Sequence, residues 1–423
     1  MRRDPPPSRS PLADRHVPYD LIVVGGGLIG GSLACALAAT GLRVALVEAV
    51  AADAAVQPSY DERVIALSWG SRRIFAGMGL WDAMAAECEP ILRIHVSERG
   101  QCGFARLDAR ELGVEALGYV APARAMGAAI RARLACAPGV DLLCPARLAS
   151  YRVESDRVAA DIETGGERRR LSARLLVAAD GGDSAIRRGL AVPVEERAYG
   201  HRAVIATVTP DRPLAGHAFE RFTDSGPLAL LPMTRGRYSV VWTCLDAQAP
   251  EILALDDADF LARLQARFGY RLGRLAQPSP RRAYPLKLVL TRETVRPRLV
   301  LIGNAAHTLH PVAGQGFNLG LRDVAALAEV LAECADAGAP AVLEAYRRWR
   351  GADQATVANL TDTLARLFAN PWSPLRAARN AGLLGLDLWP PARRTLARRF
   401  MGIDGRLPRL ARGLPLVPPP ERA

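Results

Sequence analysis

The sequence predicts an α/β fold in which a Rossmann-like domain is interleaved with an antiparallel sheet and followed by a C-terminal helical segment. Three patterns indicate this. A buried strand near the start of the chain runs into a glycine-rich turn and a helix. Two later apolar strands also end at glycine. Residues 191–290 alternate between apolar and polar in short stretches, which is typical of antiparallel strands.

The first element is a buried strand over residues 20–25, which opens a GxGxxG motif made by Gly25, Gly27 and Gly30. Gly25 permits the tight turn from strand to helix, Gly27 lets the backbone approach a pyrophosphate, and Gly30 lets the helix pack on the strand. The helix predicted over residues 31–39 offers free N–H groups to phosphates at its start. This turn therefore predicts a dinucleotide site.

A second strand is predicted over residues 42–47 and ends at Glu48. This position places a carboxylate where a bound ribose needs a hydroxyl acceptor. The uncharged run over residues 21–39 is long enough to cross a membrane, but its glycines cluster at one end and a second strand follows it. The pattern therefore favours strand, turn and helix, and it suits NAD as well as FAD.

Two further blocks favour FAD. The first is a buried strand over residues 175–179 that ends at Asp180 and Gly181, and the second runs over residues 298–307 through Gly303 and Asn304. Glycines then precede a helix predicted from 324 to 334, where backbone N–H groups form a nest that suits the pyrimidine edge of a reduced flavin. The residues of this loop expected at the cofactor are Pro311, Gly314, Gln315, Gly316 and Asn318.

Together these blocks resemble the group A flavoprotein aromatic hydroxylases, the p-hydroxybenzoate hydroxylase family, over roughly residues 17–323. Within that family, residues 61–67, 226–233 and 303–323 look like the ubiquinone-biosynthesis branch, of the 2-polyprenyl-6-methoxyphenol hydroxylase type. The family usually has Asp where Asn304 stands. Asn still accepts a hydrogen bond but without charge assistance, and the branch tolerates it.

The resemblance implies an FAD-dependent monooxygenase that hydroxylates the aromatic ring of a polyprenyl phenol in ubiquinone biosynthesis. It would use NADPH or NADH and O₂ through a flavin C4a-hydroperoxide, so the chemistry would be carried by the flavin without a catalytic side chain or a metal. The resemblance also implies cofactor roles for two loop arginines, Arg63 and Arg124.

We expect a disordered tail over residues 1–17 and a discontinuous FAD-binding domain over 18–75, 120–190 and 283–335. The substrate domain would take 76–119 and 191–282, and a basic helical segment 336–423. Strands are expected over 203–209, 218–222, 226–232 and 238–244. Candidate pocket walls, for which ordinary core packing is an equal alternative, are Phe222, Leu230, Pro232 and Trp242. A lone histidine in this region, His217, is more often structural than catalytic.

Composition limits the remaining classes. The net charge is +12, but no nucleic-acid-binding motif accompanies it, so nucleic acid is not an expected partner. The seven cysteines form no CxxC pair, which favours a reducing, cytoplasmic location without disulfides. His307 and His310 are three residues apart but have no further ligand nearby in the sequence, so a metal site is not expected.

The C-terminal segment is basic: residues 371–413 hold nine arginines and two acids, interleaved with leucines and Trp389. Two interpretations stay open: an amphipathic surface on the inner face of a membrane, or a helix that covers the FAD-binding domain with a solvated basic face. Other ubiquinone-biosynthesis enzymes are further expected partners. A flavin-dependent reductase and a non-catalytic FAD-binding subunit stay open as alternative functions, whereas a halogenase lacks its WxWxIP motif here.

Overall fold

The computed structural model describes residues 19–51, 63–370 and 372–417, so the tail expected over residues 1–17 lies outside the described residues. The strands, in chain order, are β1 (Tyr19–Val24), β2 (Val44–Val47), β3 (Val64–Ser68), β4 (Glu89–Ile91), β5 (Arg93–Glu98), β6 (Phe104–Asp108), β7 (Gly118–Pro122), β8 (Val140–Leu143), β9 (Ala146–Val153), β10 (Val158–Thr164), β11 (Glu167–Ala178), β12 (Val194–Pro210), β13 (His217–Thr223), β14 (Gly226–Pro232), β15 (Tyr238–Leu245), β16 (Leu275–Ala276), β17 (Arg282–Thr291), β18 (Val295–Arg296), β19 (Leu299–Leu301) and β20 (His307–Thr308).

The α-helices are α1 (Leu28–Leu37), α2 (Trp69–Gly77), α3 (Ala123–Ala135), α4 (Ala185–Gly189), α5 (Ala249–Ala254), α6 (Asp257–Phe268), α7 (Gln315–Ala332), α8 (Pro340–Ala369), α9 (Ser373–Leu388) and α10 (Pro390–Phe400). Together with the strands they confirm the predicted mixed α/β class.

The first sheet is built around β1, which pairs in parallel with β2 on one side and β11 on the other. Its order is β18-β19-β11-β1-β2-β8, with β9 and β10 added beside β11. Leu21 and Val23 enter the core shared with α1, α3 and α7, whereas Ile22 and Val24 enter the core on the opposite face. Burial on both faces explains why β1 is a continuous apolar run.

The second sheet has the order β20-β17-β12-β15-β14-β13-β5-β6, and all its pairs are antiparallel except that of β13 with β5. This confirms the antiparallel strands predicted within residues 191–290. Strand β17 pairs with β12, so residues 283–291 go with this sheet and not with the first, where the boundary predicted at 283 placed them. A smaller three-stranded sheet, β3-β7-β4, lies apart from both in the strand pairing.

Two predicted elements have different bounds from those expected. Helix α7 begins at Gln315 and not at 324, because the glycine loop leads directly into it. Strand β11 begins at Glu167 and not at 175, because its first half pairs with the hairpin strand β10. Both differences lengthen an element that leads to or from the predicted site.

The C-terminal segment forms α8, α9 and α10, which confirms its predicted helical character. Helix α8 packs on α7, and α9 packs on β6 of the second sheet. The apolar run over residues 21–39 is β1 followed by α1. Among the residues described above, none of the helices combines the length and apolar character needed to cross a bilayer.

Candidate functional site

The GxGxxG turn has close backbone contacts that only glycine permits. Gly25 has φ +100°, and a Cβ there would lie 2.4 Å from the carbonyl oxygen of Ala179. A Cβ at Gly30 would lie 1.9 Å from the oxygen of Gly25. Helix α1 begins at Leu28 and Gly27 gives it no side-chain cap, so the first N–H groups of the helix are left for a ligand.

Glu48 follows the carboxyl end of β2, beside this turn. One carboxylate oxygen accepts a hydrogen bond from the N–H of Gly26 at 2.6 Å, and the other accepts one from Val50 at 2.7 Å. These backbone contacts fix the carboxylate next to the start of α1. The structure therefore places Glu48 and the glycine turn together.

Asp180 lies after β11, the parallel neighbour of β1, and thus at the same edge of the sheet. Its Oδ2 accepts a hydrogen bond from Ile186 at 3.3 Å, whereas Oδ1 is buried and has no partner among the described residues. Gly181 has φ +85°, and a Cβ there would meet no atom within 4 Å. An unpartnered buried carboxylate oxygen beside open space indicates a missing hydrogen-bond donor.

The third predicted cofactor segment, residues 298–307, packs against α1 of the glycine turn. A Cβ at Gly303, which follows β19, would lie 3.0 Å from the side chain of Ile29, and a Cβ at Gly320 would be equally close to it. Asn304 is exposed, and its backbone oxygen accepts a hydrogen bond from Arg187 at 3.4 Å. Among the described residues its side chain has no hydrogen bond, so it is available to a ligand.

Arg187 is a site residue to which the sequence analysis gave no role. It is buried, and its guanidinium donates to the backbone oxygens of Gly182 at 2.5 Å and Ala305 at 2.9 Å. It thereby ties the Asp180 loop to the turn after Gly303. Its signal in the sequence is an arginine three residues after Ser184, which caps α4.

The loop before α7 forms the predicted nest. Ala313 and Gly314 both have positive φ, and α7 starts directly after them without a side-chain cap. Pro311 is exposed, Gly316 has open space around it, and the buried Oε1 of Gln315 has no partner among the described residues. Successive N–H groups in this conformation form a concave site for an electron-rich group.

Asn318 holds this loop in place. Its amide donates to Ala66 at 2.8 Å and Gly314 at 2.6 Å, and its oxygen accepts from Ser68 at 2.8 Å and Ser71 at 2.7 Å. These bonds use all the donors and acceptors of an Asn side chain. The side chain of Asn318 therefore positions the loop, and the contact of this residue with the cofactor stays a prediction.

The two arginines for which a cofactor role is predicted, Arg63 and Arg124, lie on segments that share a backbone hydrogen bond. The oxygen of Arg63 accepts a hydrogen bond from Ala123, the first residue of α3, at 2.8 Å. The guanidinium of Arg63 lies 5.2 Å from the ring of Tyr284, and Arg124 forms an ion pair with Glu87. A cofactor role for either arginine stays a prediction.

The four candidate wall residues divide between the two faces of the second sheet. Phe222 packs in a cluster with Val312 of the cofactor loop. Leu230 and Trp242 pack against α6 on the opposite face, and Pro232 alternates onto that face with Leu230. Core packing, the alternative considered above, therefore describes these three. His217 stands at the start of β13, with Nδ1 2.9 Å from the oxygen of Ala215.

A buried network lies under the loop. His307 Nε2 is 2.6 Å from Asp323 Oδ2, and the other oxygen of Asp323 accepts from Arg350 at 2.7 Å. Burial alone would raise the pKa of Asp323, but Arg350 and His307 lower it to about 2. The rings of His310 and Tyr199 are nearly perpendicular with centroids 4.9 Å apart, and burial lowers the pKa of His310 to about 4. Within the described ranges, no three His, Cys, Asp or Glu side chains form a potential metal site.

These segments fit FAD, since the glycine turn, the unpartnered Asp180 oxygen and the nest lie along one edge of the first sheet. The FAD binding domain family matches residues 18–361. The chain belongs to this family. Within it, the chain belongs to the FAD-dependent hydroxylases of ubiquinone biosynthesis, as the relatives described next show, and it is an oxidoreductase of the monooxygenase type.

Two relatives cover almost the whole chain. The ubiquinone hydroxylase UbiL of Rhodospirillum rubrum is 39% identical over 98% of this chain and 97% of that protein. The 3-demethoxyubiquinol 3-hydroxylase of Escherichia coli is 32% identical over 91% of this chain and 99% of its own length. The crystal structure of p-nitrophenol 4-monooxygenase from Pseudomonas putida DLL-E4 has the same fold, with a TM-score of 0.76 at 21% identity over 92% and 99% of the two chains.

Proposed function

We propose that this protein hydroxylates the ring of a polyprenyl phenol in ubiquinone biosynthesis, with NADPH or NADH as reductant and O₂ as oxidant. One oxygen atom enters the ring, and the other leaves as water with the two electrons of the nicotinamide. Bound FAD supplies the electron transfer and the activation of O₂. The names of the two relatives support a ubiquinone precursor as substrate.

A row of half-buried side chains across the second sheet carries this proposal. Cross-strand pairing places Val96, Glu220, Ala229, Val241 and Ile205 side by side on five strands. We call these five residues the pocket row. Four of them are apolar, and partial accessibility inside the protein indicates that they border a space. An apolar surface with one polar group suits a prenylated phenol.

Two apolar clusters border the pocket row and connect it to the cofactor segments. One joins Ala218 of β13 to Ala66 of β3 and to Met401 after α10. The other joins Phe222 of β13 to Val312 of the cofactor loop. The row therefore faces the FAD segments and the C-terminal helices, where a substrate ring has to lie.

The residues of the chain bind and position the reactants in this proposal. The free N–H groups of α1 bind the pyrophosphate, and Glu48 accepts a ribose hydroxyl. Asp180 accepts a further hydrogen bond from the cofactor through Oδ1. The uncapped N–H groups at the start of α7, which follow the nest, would donate to the pyrimidine edge of the flavin, while the apolar clusters keep water from the reaction.

One experiment separates this function from its two alternatives. The purified holoprotein is mixed with NADH or NADPH, O₂ and 2-geranylphenol, and both reductant consumption and hydroxylated product are measured. We expect product with one added oxygen atom. Flavin reduction without oxygenated product favours the reductase, and a yellow protein that oxidises no NAD(P)H with any prenyl phenol favours the non-catalytic subunit.

We also propose that α9 and α10 bind an anionic membrane surface. The exposed positions of α9 are Ser373, Pro374, Ala377, Ala378, Ala381, Gly382, Gly385 and Leu388, and none is charged. An exposed tryptophan stands at each end of α9: Trp372 is 65% accessible and Trp389 is 64% accessible. Leu388, the last residue of the helix, is 79% accessible. On α10, Arg394 and Arg398 are exposed and have no ion pair among the described residues. An apolar face between tryptophans and beside arginines suits the interface of an anionic bilayer.

Vesicle sedimentation tests the membrane proposal. The double variant Leu388→Ser/Trp389→Ser is compared with Tyr270→Ser, which removes an equally exposed aromatic side chain at a distant site. We expect the double variant to lose binding to vesicles with anionic lipid and the control to keep it. Equal vesicle binding by the wild type and both variants overturns the proposal. If the wild type binds other enzymes of the pathway but no vesicles, α9 and α10 form a protein interface and not a membrane surface.

A further inference from the structure

Glu220 is the only ionisable member of the pocket row. It lies on β13 between Ala218 and Phe222 on the same face, and its cross-strand neighbours are Val96 and Ala229. All four are apolar, so the carboxyl group has no hydrogen-bond donor beside it on the sheet. Among the described residues no hydrogen bond or ion pair reaches it.

The carboxylates on neighbouring elements are engaged elsewhere. Those of β5, α8 and α9 all form ion pairs, and Glu89 of β4 accepts a hydrogen bond from the backbone of Gly216. These pairs are Glu98 with Arg376 and Arg379, Glu344 with Arg347, Asp353 with Arg322 and Arg350, Asp362 with Arg197 and Arg366, and Asp387 with Arg106 and Arg393. None is directed at Glu220.

The environment changes the acidity of this carboxyl group. Burial raises the pKa of Glu220 to about 7, and no nearby charge contributes to the shift. Yet the residue is half-buried, so solvent-sized space reaches it. A carboxyl group that is removed from bulk water but borders a space in an otherwise apolar wall has the properties of a group placed to meet a ligand.

We propose that Glu220 accepts the hydrogen bond of the substrate's phenolic hydroxyl and takes its proton as the ring is oxygenated. This inference rests on the function proposed above and extends it to the orientation of the ring. It makes Glu220 a catalytic residue, because its carboxylate contacts the reacting molecule. It also directs the new oxygen to a carbon ortho or para to that hydroxyl.

Glu220 first takes the phenol proton and later returns it. The phenol O–H bond breaks and a carboxyl O–H bond forms on Glu220, while the electron pair of the broken bond moves into the ring. The ring carbon that gains electron density forms the new C–O bond with one oxygen atom derived from O₂ as the O–O bond breaks, and the other oxygen atom keeps the electron pair of that bond. The proton on the ring carbon passes to this second oxygen atom, which leaves as water, the ring becomes aromatic again, and the carboxyl proton returns to the phenolic oxygen.

Raising the pKa of a carboxyl group from its usual range makes it a better general base for a phenol, because the two acidities become more similar. The same burial keeps the group uncharged below about pH 7, so the base is present only above that pH. The hydroxylation rate of the wild-type protein is therefore expected to rise through about pH 7.

The test compares two substrates in three proteins. The substrates are 2-geranylphenol and a ring-fluorinated analogue that is already ionised at the assay pH. The proteins are the wild type, Glu220→Gln and Glu196→Gln, the last being a matched change on β12 of the same sheet at an exposed glutamate paired with Lys287. Bound FAD is measured by absorbance in every protein before the assay.

We expect Glu220→Gln to hydroxylate 2-geranylphenol about a hundred-fold or more slowly, which is the usual contribution of a general base. The ionised analogue needs no base, so the variant should process it at close to the wild-type rate, and Glu196→Gln should match the wild type with both. A merely structural role would slow the two substrates equally. Equal loss with both substrates, or no loss with either, overturns the role of Glu220.

The wild-type protein gives an independent result if Glu220→Gln fails to fold. Its pH profile should rise through about pH 7 with 2-geranylphenol and be flat there with the ionised analogue. A rise with both substrates, or with neither, contradicts the proposal for Glu220 while the hydroxylase function stands. A wild-type protein that makes no hydroxylated product from either phenol overturns both.

Discussion

His307 and Asp323 lie 2.6 Å apart in the interior, Nε2 to Oδ2, and they connect the start of the cofactor loop to α7. The other oxygen of Asp323 accepts hydrogen bonds from Arg350 at 2.7 Å and from Gln354 at 3.0 Å, both on α8. One carboxylate therefore joins the strand, the loop and two helices beneath the predicted flavin site.

We expect Asp323→Asn to destabilise the protein by about 1–3 kcal/mol, because the buried guanidinium of Arg350 keeps its ion pair with Asp353 but loses its fully buried carboxylate partner. The matched control is Asp404→Asn, whose ion pair with Arg399 is half exposed and 3.6 Å long. Thermal unfolding of both variants measures the difference. Equal Tm values for Asp323→Asn and the wild type would show that this buried network does not stabilise the fold.

Acid titration tests the same network. The pKa of Asp323 is lowered to about 2, below the value near 4 of an unfolded Asp, because the effects of Arg350 and His307 exceed that of burial. Its stabilisation is therefore fully present above pH 4 and is lost as the pH falls through about 2. The difference in unfolding free energy between wild type and Asp323→Asn should shrink over that interval, and a constant difference would contradict the assignment.

Gly30→Ala should abolish FAD binding, because the new Cβ would lie 1.9 Å from the oxygen of Gly25 and displace the turn. Gly351→Ala is the control, since a Cβ at that position on α8 meets no atom within 4 Å. Absorbance of the purified proteins measures bound flavin. A Gly30→Ala protein that retains stoichiometric FAD would show that the turn does not hold the cofactor.

Asp180→Asn should weaken FAD binding and leave the stability of the apoprotein unchanged or increased. A buried carboxylate oxygen without a donor costs free energy until a ligand donates to it, and the neutral amide lowers that cost by about 1–3 kcal/mol. Thermal unfolding of the apoprotein measures its stability, and the additional stability of the holoprotein measures FAD binding. Loss of apoprotein stability would assign Asp180 to the fold instead.

Glu220→Gln should raise the stability of the apoprotein above pH 7. The pKa of Glu220 is raised from 4.5 to about 7, so folding opposes ionisation, and the folded state loses stability as the pH rises from about 4.5 through 7. Removing this charge should contribute about 1–3 kcal/mol at pH 8 and nothing at pH 4. Thermal unfolding at both values measures the difference, and the opposite pH dependence would contradict the buried position of the carboxyl group.

The sequence predicted the parts of the fold that depend on local patterns. The strand before Gly25, the position of Glu48 and the antiparallel strands from β12 to β15 all follow from periodicity and turn residues. The division of residues 18–335 into two domains stays a prediction. Strand β17, which the predicted division assigns to the FAD-binding domain, pairs with β12, which is far away in the sequence, and local patterns carry no information about such a pairing.

The substrate face was harder to predict, because both faces of the second sheet are buried. Alternation along β14 and β15 shows which residues share a face but not which face meets the cofactor. Leu230 and Trp242 therefore lie on the face that packs against α6, whereas Phe222 lies on the face that packs against the cofactor loop. The sequence signal for this face is Glu220, a single carboxyl group two residues from Ala218 and two residues from Phe222, which are both apolar.

Residues that hold the site through backbone contacts left little trace in the sequence. Asn318 is predicted to contact the cofactor because it lies in the glycine loop, and its side chain also holds that loop through four hydrogen bonds that the sequence does not show. Arg187 received no role, although it joins two of the three cofactor segments. In both cases most of the partners are backbone carbonyl or N–H groups, which nearly every residue supplies.

The most direct test of the account is the product formed by the wild-type holoprotein from 2-geranylphenol, NADH or NADPH, and isotopically labelled O₂. We expect one labelled oxygen atom in the ring, ortho or para to the existing hydroxyl, for each reductant molecule consumed in a coupled turnover. Reductant consumption that yields only hydrogen peroxide or a reduced substrate, with no labelled phenol, would contradict it.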